Sequence, residues 1–94
     1  MDICKKCIVT GLVQGVFFRA STQKEARSRN ISGWAKNLSD GTVEVVACGT
    51  SADVETLCAW LWKGPEYSNV ISVECDEFDQ VQLTDEQLEI FITG

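Results

Sequence analysis

Short alternating stretches and one longer helical stripe carry most of the apolar residues along this chain. Cys7-Ile8-Val9-Thr10 is rich in β-branched side chains and reads as a first strand, after a short polar lead-in from Met1 to Lys6. Phe18, Thr22 and Ala26 then recur at four-residue spacing, a thin helical stripe. Thr22 with Glu25 three residues on predicts a capping box, and with Ser21 it places the helix start there. Asn30 suits a left-handed C-cap. Ile31 to Leu38 reads as a second strand, and Asp40-Gly41, after Ser39, is the strong signal for a hairpin turn. In the third strand, Thr42 to Cys48, Val43, Val45 and Ala47 fall on one face and Glu44, Val46 and Cys48 on the other. Gly49 to Ser51 is a turn with Ser51 as N-cap. Val54, Leu57, Cys58 and Leu61 follow the i, i+3, i+4, i+7 spacing of a buried helical face, and Gly64-Pro65 supplies the stop. Val70 to Phe78 is a fourth strand, Asp79 to Gln87 a polar connection, and Leu88 to Thr93 a last apolar strand.

The order β-α-β-β-α-β is the split βαβ plan, so the expected class is α+β: a ferredoxin-like sandwich of one antiparallel sheet with both helices on one face. Strands one and three lie side by side in the middle of that plan. The loop after strand one and the end of strand two then meet at one rim.

Ninety-four residues suit a single domain spanning 1–94. A net charge of −6 argues against nucleic acid and against an anionic membrane surface, which both need many cations. It leaves room for a small phosphorylated ligand, which needs positive potential only locally. No apolar run has the length of a membrane span or of a signal-peptide core, so a cytoplasmic setting is expected. Four of the eight basic residues lie between Arg19 and Arg29.

The chemistry concentrates in Gly11-Leu12-Val13-Gln14-Gly15-Val16-Phe17-Phe18-Arg19. A strand, a glycine-bracketed turn and a helix start leave successive backbone N–H groups pointing one way, a concave seat for an anion. Arg19 adds a planar charged fork matched to phosphate oxygens. On the residues alone, the glycines could equally serve a tight loop and Arg19 a solvated surface. The stretch lacks the Gly-Lys-Ser/Thr ending of a nucleotide P-loop, and Val13 leaves no thiol where a cysteine phosphatase would need one.

Val13-Gln14-Gly15-Val16-x-Phe18-Arg19, then Gly33-Trp34-x-Lys36-Asn37, then Asp40-Gly41-Thr42-Val43-Glu44 resembles the acylphosphatase family in order and spacing, and Gly64-Pro65 fits as well. The resemblance implies a hydrolase that cleaves the carboxyl–phosphate anhydride; the weakly basic carboxylate leaving group and the lack of histidine lead us to expect direct attack by water, with neither metal nor cofactor. The resemblance further implies that Arg19 is the catalytic phosphate-binding arginine and Asn37 the residue that holds the attacking water. The backbone of Gln14, Gly15, Val16, Phe17 and Phe18 would form the phosphate-binding loop. A small acyl phosphate is then the substrate, inorganic phosphate or sulfate a product-like ligand, and the protein a monomer. Leu12 stands where many relatives carry arginine, and the Phe91-Ile92-Thr93-Gly94 ending lacks the family's basic and aromatic finish. A second reading is a non-catalytic ferredoxin-like module that keeps the loop to bind a phosphorylated ligand or partner. Lys36 is left out of the site because pleat alternation turns it away from Asn37. Trp34, Trp60 and Trp62 are assigned to core or cover.

Five cysteines are many for a short cytoplasmic chain, and the odd count leaves at least one thiol unpaired within a monomer. Cys4-Lys5-Lys6-Cys7 is a CxxC, the motif of small metallochaperones of similar topology. Here it opens the strand rather than following it, and no second pair completes four zinc ligands. If strands one and three are antiparallel neighbours, Cys4, with Cys7 less favoured, faces Cys48. A Cys4–Cys48 disulfide under oxidising conditions is the resulting expectation.

Overall fold

In a computed structural model, which describes residues 2–79 and 91–93, the first strand is longer than its apolar run. β1 spans Asp2–Leu12, so the polar lead-in is strand from its second residue. Pairing on both sides supplies the reason: β1 is bonded to β3 (Val43–Thr50) and to β4 (Asn69–Glu77), and ladder hydrogen bonds override weak local propensity. The sheet runs β4-β1-β3-β2-β5, with β2 at Ser32–Asn37 and β5 at Phe91–Thr93. The expected central pair is present. The sheet is antiparallel as expected through β4, β1, β3 and β2, and β5 joins the outer edge of β2 in parallel. The polar connection expected at 79 to 87 lies outside the described residues beyond Asp79, as does the start of the last strand.

Both helices, α1 (Phe18–Ser28) and α2 (Ser51–Lys63), pack on one face. There Phe18 and Ala26 of α1, Val54, Leu57 and Leu61 of α2, and Cys7, Val9, Val43, Val45, Ala35 and Phe91 of the sheet form the main core. The other face carries a smaller cluster of Cys4, Val46 and Cys48 beneath Trp34 and Phe78, the two rings set edge to face at 5.9 Å. The two faces of β3 divide as the alternation predicted.

The helix starts differ from expectation. α1 begins at Phe18, three residues before Ser21, and Thr22 is no cap: its hydroxyl is buried and donates to the Phe18 carbonyl one turn back. α2 is capped by Thr50 rather than Ser51, Thr50 Oγ1 accepting from the Asp53 amide. Asn30 does take the left-handed conformation just past α1, with φ 54°.

Strand parity sorts the cysteines. Cys4 and Cys7 are three apart on β1 and therefore face opposite sides of the sheet, which removes any shared ligation by the CxxC. Cys4 faces Cys48 in the β1–β3 register, with Cα atoms 4.1 Å apart and the sulfurs bonded. Cys7 goes to neither Cys4 nor Cys48. It is bonded to Cys75, its partner across the β1–β4 register, a pairing the sequence reading did not anticipate.

Candidate active site

Two strand ends and a helix start build the site. β1 ends in an irregularity between Thr10 and Gly11, where the register against β4 shifts. Gly11 has φ +134°, and a Cβ there would collide with the Asn69 carbonyl oxygen, so only glycine lets β1 turn off this close to β4. The chain then crosses the rim through Gly15 and reaches Phe17, which is left-handed (φ 61°, ψ 25°) and 80% exposed. A bulky residue in that conformation carries local strain, a feature that concentrates at functional loops. Among the described residues no side chain caps α1, so the N–H groups that open any α-helix stay directed at the rim, with the positive end of the helix dipole behind them.

Arg19 stands in the first turn of α1, half-buried, and Asn37 ends β2, exposed. Both line one concavity of about 310 Å³, together with Val13, Gly15, Phe17, Phe18, Ala20 and Thr93. The fold thus brings the two residues singled out from sequence to one small hollow. Of the predicted loop, Gly15, Phe17 and Phe18 are on its wall, whereas Gln14 and Val16 are not.

Gln14 has a different task. Its side-chain amide donates to the carbonyls of Leu38 and Thr42, both at 2.9 Å. Those two residues flank the β2–β3 turn, where the Leu38 amide donates to Thr42 and Asp40 accepts from the amide and hydroxyl of Thr42. One carboxamide therefore ties the loop that precedes Arg19 to the hairpin that follows Asn37. Nothing in the local sequence signals this, since it depends on the two segments meeting. Thr93 was likewise missed, because it arrives from β5 at the far end of the chain.

On the opposite side of β2, Glu44 is almost covered and takes three partners. Trp34 Nε1 donates at 2.9 Å, Lys36 Nζ lies at 3.3 Å and Lys6 Nζ at 3.5 Å. Burial alone would raise the Glu44 carboxyl. The Trp34 and Lys36 contacts and the two lysine charges outweigh it and hold the group below its ordinary value. Lys36 is thereby committed to the back of the strand, as its parity predicted. Gly33, at φ +133°, lets β2 lie against the Val46 carbonyl, which no Cβ could tolerate, and so keeps Trp34 over Glu44.

The acylphosphatase family model matches residues 5–90. An acylphosphatase of Chromohalobacter salexigens is 50% identical over 76 residues, covering 81% of this chain and 84% of its own. One from Nitrosococcus oceani is 41% identical over 85 residues, 88% of this chain and 96% of its own. The solved structure of an acylphosphatase from Coxiella burnetii superposes with a TM-score of 0.88 at 40% identity, covering 99% of this chain and 93% of the other.

Proposed function

Because the chain belongs to the acylphosphatase family, a hydrolase of acyl phosphates, we propose that Arg19 and Asn37 divide the reaction between them. The observation that supports this reading is their meeting in one hollow beside an uncapped helix start. Phosphoryl transfer asks a protein mainly for positioning and for charge stabilisation. The Arg19 guanidinium binds two phosphoryl oxygens, and backbone N–H groups of the 14–18 loop bind the remainder. Asn37 cannot titrate usefully, so it acts by orienting a water molecule toward phosphorus. The water oxygen forms the new P–O bond while the bond to the acyl oxygen breaks. A carboxylate leaves, weakly basic enough to need little protonation, and the proton of the water passes to a phosphoryl oxygen. The chain has no histidine to serve as base or phosphoryl acceptor, and the sequence above requires none. Neither metal nor cofactor enters.

The same reading takes the protein as a single-domain monomer in the cytoplasm, with inorganic phosphate or sulfate as a competitive ligand. There its disulfides would exchange with the thiol pool. Among the described residues no helix is long and apolar enough to cross a membrane.

Hydrolysis of an aryl acyl phosphate in excess chelator tests the reading. Turnover should be unchanged by chelator and competitively inhibited by phosphate. Activity lost in chelator and restored by magnesium would overturn metal independence. A folded protein without turnover would return the chain to the phosphate-binding module.

A further inference from the structure

Three of the five cysteine sulfurs converge, and none of them lines the anion hollow. Cys7 is fully buried on the helix-covered face of β1, Cys75 sits across from it on the edge strand β4, and Cys58 comes down from α2. Cys58 Sγ is 3.5 Å from Cys7 Sγ, and all three sulfurs lie within 4.8 Å of one another. We propose that, once the Cys7–Cys75 disulfide is reduced, these three thiols form a binding site for a soft monovalent cation, Cu(I).

The geometry favours this over its rivals. Three sulfurs bound at about 2.3 Å to one central ion lie about 4 Å apart; Cys7 and Cys58 already stand at 3.5 Å, and Cys7 and Cys75, bonded in the disulfide, separate once it is reduced. A closed zinc site takes four ligands, and among the described residues no fourth histidine, cysteine or carboxylate joins the group. Soft thiolates in a three-ligand set suit Cu(I), whereas harder ions prefer oxygen and nitrogen donors. Simple exchange, with Cys58 displacing Cys75 from Cys7, fits less well. Attack runs along the S–S axis, which would put the outer sulfurs roughly 5.5 Å apart, and they are closer than that.

The site opens by a balanced step. A dithiol reductant delivers two electrons and two protons to the Cys7–Cys75 disulfide and leaves as its own disulfide. Cu(I) then replaces the thiol protons, which pass to solvent. The ligands come from β1, β4 and α2, so the ion would bridge the sheet edge and the helix above it. The disulfide form is the closed state, with only Cys58 left among the three as a thiol.

The test is an anaerobic titration of the full chain, reduced with a phosphine and desalted, against Cu(I) held by a chromogenic chelator. The reduced chain should take one Cu(I), with thiolate-to-copper absorption in the near ultraviolet, and the oxidised chain none. Cys58→Ser and Cys75→Ser should each weaken binding about tenfold or more, while a Cys4→Ser/Cys48→Ser double variant should not. Circular dichroism checks that each variant is folded. In the reduced wild type, bound Cu(I) should protect Cys58 from alkylation, a readout independent of any substitution. Unchanged affinity in Cys58→Ser, loss confined to the Cys4/Cys48 variant, unprotected Cys58, or displacement by equimolar Zn²⁺ would each overturn the assignment.

Discussion

Two hollows flank α1, and the larger one is the less suited to phosphate. It has a volume of about 570 Å³ and two lysines, Lys24 and Lys63, against about 310 Å³ and the single Arg19 of the other. Its lysines share the wall with Glu25 and Glu66, however, and it lies at the C-terminal end of α2, where the helix dipole is negative. Among the described residues the smaller hollow has no carboxylate on its wall, and the N-terminal end of α1 lies behind it. Charge balance and backbone direction, rather than volume, separate a phosphate site from a surface groove.

The largest effects should come from emptying the smaller hollow. Arg19→Ala should lower kcat/KM for an aryl acyl phosphate by about 10³-fold or more, and Asn37→Ala by about 10²-fold with phosphate inhibition retained. Losses below tenfold in both, measured by steady-state kinetics, would place the chemistry elsewhere. Gln14→Ala removes the tie between loop and hairpin without touching the hollow itself. It should lower kcat/KM about tenfold and cost about 1–2 kcal/mol in urea unfolding. Activity unchanged at the full stability cost would mean that the loop holds its shape unaided.

Glu44 offers a control behind the site. Its depressed carboxyl contributes stability that is present above the unfolded value and lost as pH falls through the folded one. Thermal unfolding of the wild type should therefore weaken between about pH 5 and pH 3, and Glu44→Gln should flatten that fall while leaving turnover intact. Smallest of all, Lys24→Ala/Lys63→Ala should leave kcat/KM within about twofold. A large drop would make the bigger hollow part of the substrate path and remove the functional difference between the two hollows.

Much of this was legible from residue order because it rests on local physics. Alternation divided β3 into its two faces, the 3.6-residue period found the buried side of α2, and Asp40-Gly41 marked its hairpin. Helix starts were read less well. Thr22 offered a cap that the chain does not use, because tertiary packing of Phe18 begins α1 earlier and turns the threonine hydroxyl inward.

The sequence by itself determined the strand and helix order, the family motif, and hence Arg19 and Asn37 as the residues to watch. Only the tertiary structure decided that Gln14 spans loop and hairpin, that Thr93 reaches the hollow, that Cys7 turns to Cys75, and that Cys58 joins them. Each of these depends on register or on packing between segments distant along the chain, as in the separation of 24 for Gln14–Leu38, 51 for Cys7–Cys58 and 68 for Cys7–Cys75. Periodicity along a chain fixes which face a side chain takes. It does not fix what it will meet there.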